Sequence, residues 1–143
     1  MPETLALMFM DRAKTHPNYV AQYSKNGSGK FIPSTYGQVL EEIATFGAGL
    51  MELGAKRGDN IGLIADNRKE WLICDLAMQG LGMVDVPRGC DATEQELAYI
   101  LSFSDCKLAI LENERQAAKI LARKQEMPIL QSIILMDEAG KES

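Results

Sequence analysis

Cysteine is scarce in this chain: three among 143 residues, an odd number, with no CxxC or CxxH spacing. That leaves neither a disulfide framework nor a local zinc motif, and a reducing cytoplasm is the simplest setting. Histidine is scarcer still. His16 is the only one, so no Ser-His or Cys-His pair can be built elsewhere, and its place before Pro17 suits a helix end. Basic charge is in deficit, with 15 Lys plus Arg against 20 Asp plus Glu and a net charge of −5. This argues against a nucleic-acid partner. Long apolar runs are also missing. Leu5-Ala6-Leu7-Met8-Phe9-Met10 is too short for a secretory leader or for a membrane span of about 20 residues. With 12 glycines and 5 prolines, disorder and collagen-like structure are excluded as well.

What is present is core material. Hydrophobic residues make up 46% of the chain, enough to fill one domain of roughly 150 residues. A helix is expected from about Glu3 to Lys14, with Leu5, Met8 and Phe9 on its buried face. Tyr19 to Tyr23 and Lys30 to Ile32 read as a hairpin around Asn26-Gly27-Ser28-Gly29. Thr35 with Gln38 forms a capping box for a helix striped by Tyr36, Leu40, Ile43, Phe46, Leu50 and Leu53, and closed by Gly54.

From residue 60 strands and helices alternate. Ile61 to Ala65, Met83 to Val86, Lys107 to Leu111 and Ser132 to Met136 are apolar runs. Between them, Asn67 with Glu70, Thr93 with Glu96, and Asn113 with Gln116 read as helix starts. Continuously apolar strands point to an open, mostly parallel sheet with helices on both faces. The fold class is therefore α/β, with an antiparallel hairpin near the amino terminus. Residues 138–143 carry no apolar pattern and read as a polar tail at a truncation point.

Several strings invite a functional reading and resist it. Asn26-Gly27-Ser28-Gly29-Lys30 lacks the spacing of a phosphate loop and is followed by a strand, so it reads as a hairpin turn. Gly47-Ala48-Gly49 with Gly54 sits within a helix, where small residues serve close helix–sheet packing. Gly80 and Gly82 read as a helix C-cap, Cys74 as core, and Arg115, Lys119 and Arg123 as a solvated basic ridge. One segment is different. Asp85-Val86-Pro87-Arg88-Gly89-Cys90-Asp91 places an acid inside a parallel strand and an arginine at its carboxyl end, where open α/β sheets bind ligands. Arg88 either pairs locally with Asp91 or Asp85, or Arg88 and Asp91 face a substrate or another domain.

Thr35-Tyr36, the stretch from Gly49 to Asp59, Asp66-Asn67-Arg68-Lys69-Glu70-Trp71, and Glu96-Leu97-Ala98-Tyr99-Ile100-Leu101 resemble, in order and spacing, the amino-terminal part of AMP-forming acyl-CoA synthetases. The Asn-Arg-x-Glu-Trp string is most similar to the long-chain fatty acid branch. The resemblance implies that residues 1–137 form the N-terminal part of such an enzyme's large domain. It also implies a two-step reaction in a longer parent: a fatty acid is adenylated by ATP, and coenzyme A then displaces AMP, with Mg2+ neutralising phosphate charge. The family's phosphate loop, nucleotide contacts and catalytic lysine do not occur between Met1 and Ser143. No catalytic, cofactor-binding or metal-binding residue is therefore carried over, no cofactor is expected in this chain, and the chain alone is expected to be inactive.

Where many members carry a proline followed by apolar or aromatic residues, this sequence reads Pro87-Arg88-Gly89-Cys90-Asp91. The setting implied for the parent is the cytoplasm, with peripheral membrane association as the variant. Self-association of the chain is expected from strand edges left open. The alternative reading is a non-catalytic α/β binding or interaction module that shares this part of the fold.

Overall fold

A computed structural model describes residues 3–137; the polar tail expected over 138–143 lies outside the described residues. The chain divides into two compact units, Met1–Gly54 with Arg68–Gly82, and Ala55–Asn67 with Met83–Ser143. Each is described by itself.

The first unit is helical with a hairpin. Helix α1 (Leu5–Thr15) starts at Thr4, whose Oγ1 accepts the Leu7 N–H at 3.2 Å. Its buried residues are Ala6 and Ala13, while Leu5 and Met8 are exposed. The expected Leu5/Met8/Phe9 face is thus rotated by one position. Leu5 to Met10 is apolar all round, so periodicity alone could not select the face, and the small alanines permit the closer approach. Strands β1 (Val20–Lys25) and β2 (Phe31–Thr35) pair antiparallel.

Helix α2 (Tyr36–Glu52) opens with the expected capping box, in which Thr35 Oγ1 accepts the Gln38 N–H and Gln38 Oε1 accepts the Thr35 N–H. Val39, Gly47 and Leu50 are its buried residues; Leu53, expected on the stripe, is exposed. Helix α3 (Lys69–Leu81) starts at Arg68 without a side-chain cap, so the Asn67/Glu70 box does not form. Instead Glu70 accepts from Arg68 Nε at 2.7 Å. Gly82 caps the far end at φ 72°, a left-handed conformation that glycine adopts without strain. A Cβ built on Gly47 would meet Leu81 and Ala77 of α3. Gly47 therefore serves helix–helix packing, a correction to the expected packing on a sheet, whereas a Cβ on Gly49 would meet nothing within 4 Å. Between α1, α2 and α3 lies an apolar cavity of about 220 Å³ whose lining includes Ala6, Met10, Ala44, Gly47, Met51 and Gly80.

The second unit holds four parallel strands, β3 (Asn60–Ile64), β4 (Val84–Arg88), β5 (Leu108–Leu111) and β6 (Ser132–Leu135), in the order β4-β3-β5-β6. The two inner strands are buried almost throughout, and the outer two are partly exposed. This is why Ile61 to Ile64 and Leu108 to Leu111 read as unbroken apolar runs. Helix α4 (Glu94–Phe103) has the expected Thr93/Glu96 capping box, and α5 (Glu114–Ala122) is capped by Asn113. Leu97, Ala98 and Leu101 of α4 and Ile120 of α5 join Ile64, Ala109 and Leu111 in one buried cluster.

Candidate functional site

Parallel strands that end together bring their following loops together. Ile64 stands opposite Arg88 on one side and Leu111 on the other, so the residues just beyond them meet at the carboxyl edge of the sheet. Glu112 N–H donates to the Ile64 carbonyl at 2.8 Å, and Ala65 N–H donates to the Arg88 carbonyl at 3.1 Å. One step further, the side chains take over. Asp66 N–H donates to Glu112 Oε2 at 2.9 Å, and Cys90 N–H donates to Asp66 Oδ1 at 2.9 Å. The result is a constellation of Asp66, Cys90 and Glu112 whose carboxylate oxygens and Sγ all lie within 4.8 Å of one another. Burial pushes the Cys90 thiol up to about 11, and the nearby Glu112 and Asp66 carboxylates add to that shift.

The β4–α4 loop is tied down from a second side. Lys119 of α5 donates to the carbonyl oxygens of Cys90 at 2.9 Å and Ala92 at 2.8 Å. The basic ridge expected on α5 is therefore not uniformly solvated. Lys119 is a clamp, and Arg123 bonds Glu126 at 2.7 Å. Gly89 leaves room for this closure: a Cβ there would stand 2.9 Å from Asp91 Oδ1 and 3.2 Å from Asp66 Oδ1.

Arg88 and Asp91, the residues singled out from sequence, lie in the same loop. Arg88 Nη1 binds Asp91 Oδ1 at 2.8 Å, and its Nη2 stands 3.8 Å from Glu96 Oε1. The local pairing considered for Arg88 is made with Asp91 rather than Asp85. Asp85 itself lies half-buried in β4, at the edge of the sheet rather than inside it. Glu96 is held below the usual carboxylate range by the Thr93 N–H, with its hydroxyl and Arg88 adding to the effect.

The remaining sequence candidates have structural roles. In the hairpin turn, Asn26 Oδ1 accepts from the Ser28 and Lys30 N–H groups at 3.1 and 3.0 Å, so these amides are not free to cradle a phosphate. His16 ends α1, with Nδ1 2.9 Å from Thr15 Oγ1. Cys74 is buried, and burial pushes its thiol up to about 12. Sequence reasoning assigned no contact to Asp66 or Glu112 and read Lys119 only as part of a solvated ridge, because each acts across a separation of more than twenty residues.

An open parallel sheet with polar side chains converging on its carboxyl edge is the arrangement in which α/β folds place their ligand sites. The chain belongs to the AMP-binding enzyme family, whose model matches residues 9–143. It is 26% identical over 141 residues to a long-chain-fatty-acid–CoA ligase of Xenopus laevis, covering 99% of this chain and 19% of the relative. A human long-chain-fatty-acid–CoA ligase is 33% identical over 115 residues, covering 76% of this chain and 16% of the relative. Among solved structures, the N-terminal domain of FACL13 from Mycobacterium tuberculosis superposes with a TM-score of 0.83 at 23% identity, covering 99% of this chain and 39% of that one. The chain thus spans about a fifth of the length of the Xenopus relative. The α/β class, the parallel sheet flanked by helices and the amino-terminal hairpin agree with the sequence reading. No helix among the described residues is long and apolar enough to cross a membrane.

Proposed function

We propose that this chain forms part of the supporting α/β layer of an AMP-forming fatty acid–CoA ligase. The observation that carries the reading is the family match across residues 9–143, joined to relatives named as long-chain-fatty-acid–CoA ligases. In the reaction proposed for the longer polypeptide, a fatty acid carboxylate attacks ATP to give acyl-adenylate and pyrophosphate. The coenzyme A thiol then displaces AMP. Mg2+ would offset phosphate charge in such a reaction.

The hairpin turn and Arg88, the two candidates for phosphate contact, do not fit the nucleotide. A triphosphate needs converging amides or cations. Here the turn amides are taken by Asn26, and the Arg88 guanidinium is engaged by Asp91 and Glu96. No step of the reaction is assigned to them, and the chain by itself is proposed to be inactive. Arg88 and Asp91 remain the residues proposed to face substrate or a further domain. The cytoplasm is the proposed compartment.

The test is fatty-acid-dependent ATP–pyrophosphate exchange. A polypeptide of the relatives' length containing this sequence should exchange with fatty acids, and the 143-residue chain should not. Absence of exchange with every acid from short to long chain overturns the ligase reading. Exchange by the 143-residue chain alone overturns its supporting role. For Arg88, a kinetic defect in Arg88→Ala at unchanged thermal stability supports a substrate-facing or domain-facing role. Unchanged kinetics with lowered stability assigns it to the local ion pair.

A further inference from the structure

We propose that the outward face of the β1–β2 hairpin is a docking surface for an anionic lipid bilayer. In the hairpin register Tyr23 stands opposite Pro33, and Lys25 opposite Phe31. Strand alternation puts these four side chains on one face. All four are exposed, Tyr23 at 63% and Phe31 at 59%. The other face carries Gln22, Ser24, Ile32 and Ser34, and runs from exposed at Ile32 to buried at Ser34. Lys25 Nζ lies 5.3 Å from the centroid of the Phe31 ring, and Lys30 is exposed at the end of the turn. Among the described residues no ion pair engages either lysine. Rings and free ammonium groups thus share one surface.

Local charge decides the occupant. Between Asp11 and Glu41 the sequence holds Arg12, Lys14, Lys25 and Lys30 and no acid, in a chain with 20 acids and a net charge of −5. A second exposed aromatic pair shows the contrast. Tyr99 and Phe103 of α4 are 65% and 76% exposed and stack with ring centroids 5.6 Å apart. Their stretch of sequence carries Asp91, Glu94, Glu96 and Asp105 and, from Asp91 to Asp105, no Lys or Arg. Only the hairpin therefore joins aromatic exposure to positive charge.

That combination suits a lipid surface. Aromatic rings settle at the headgroup level, and each Lys near anionic lipid adds an attraction that fades within a Debye length. A protein partner fits less well. Strands β1 and β2 have six and five residues, whereas a stable protein interface takes roughly 20–30 residues from each side. Binding to a bilayer scales instead with the apolar area inserted plus the attraction to anionic lipid. The face is defined by exposure and charge alone, so it does not rest on the ligase reading.

The test is flotation of the full chain with vesicles of phosphatidylcholine, alone or with about one-third phosphatidylserine. Binding should be at least ~tenfold stronger with phosphatidylserine, and should weaken as salt is raised. Lys25→Gln combined with Lys30→Gln should cost about 20-fold, and Tyr23→Ser combined with Phe31→Ser about tenfold. Tyr99→Ser combined with Phe103→Ser should leave binding unchanged. Should a hairpin variant fail to fold, the wild-type chain still decides. Vesicles with phosphatidylserine should slow tryptic cleavage after Lys25 and Lys30 but not after Arg57. Equal binding to both vesicles, an equal loss in the α4 variant, or cleavage indifferent to lipid overturns the surface. A lipid-free dimer abolished by Tyr23→Ser with Phe31→Ser would assign the face to a second copy. A polypeptide of the relatives' length that ignores the vesicles would assign it to the remainder of that polypeptide, and either outcome overturns the lipid reading.

Discussion

In the sheet unit every residue of β5 and four of the five in β3 are buried. The helical unit, by contrast, keeps an apolar cavity of about 220 Å³, although large apolar side chains are exposed in both units, Leu5 and Met51 in one and Tyr99 and Phe103 in the other. Both units draw on the same residue types, so composition does not explain the difference. Geometry does. An inner parallel strand has neighbours on both edges and both faces, so each added or lost methylene is felt at once. Helices touch along stripes, and where small residues such as Ala6, Gly47 and Gly80 line the contact, space remains between them.

The largest expected break in this contrast is Ile110→Ala. Ile110 is fully buried in β5, and its truncation should cost about 2–5 kcal/mol in urea unfolding. A loss below about 1 kcal/mol would mean that the sheet unit relaxes as freely as the helical one. A sharper probe is one substitution with opposite sign in the two units. A Cβ on Gly62 of β3 would fall inside van der Waals contact of Leu101 Cδ2, whereas a Cβ on Gly80 of α3 meets nothing within 4 Å. Gly62→Ala should therefore destabilise by about 1–3 kcal/mol. Gly80→Ala should stabilise by about 0.5–1 kcal/mol through helix propensity. Equal signs in chemical denaturation would remove the distinction between the units.

Capping is expected not to follow this contrast. Thr35 and Thr93 each close a capping box, one in each unit. Thr35→Ala and Thr93→Ala should each cost about 1 kcal/mol, read as similar shifts of the urea midpoint. A cost confined to one of them would show that the surrounding core, rather than the cap, sets the value.

These elements also mark what sequence could and could not reveal. Both boxes were legible because Thr and its partner stand three residues apart, and so were the inner strands, whose apolar runs reflect burial on both faces. Asn67 with Glu70 has the same spacing and does not cap. The chain leaving β3 instead commits the Asp66 N–H to Glu112, 46 residues away, and the helix begins later, at Arg68. Arg88 was legible because a charge at a strand end stands out, and its partner Asp91 is three residues away. The convergence of Asp66, Cys90 and Glu112 was not. It depends on strand order and register, with Cys90 24 residues from Asp66, and no local spacing encodes that.

The smallest expected effect is the pH response of Asp59, just before β3. Its Oδ1 accepts from Lys107 Nζ at 2.6 Å and its Oδ2 from the Lys56 N–H at 2.9 Å. The Lys107 hydrogen bond, followed by the Lys56 amide, holds this carboxyl below the usual range. A carboxyl whose folded pKa is depressed contributes stability that is complete above its unfolded value of about 3.9. That contribution falls away as acid carries the pH down through the folded pKa. The Lys107 side chain is 45% exposed, so salt should screen part of the effect. Asp59→Asn should give a shallower stability loss than the parent chain below about pH 4, with the two curves drawing together at high salt. Acid limbs of equal slope at low salt would show that the Lys107–Asp59 contact lends the sheet unit no stability. Acid sensitivity would then come from other carboxylates, with Glu96 at the start of α4, also held low, as the next to examine.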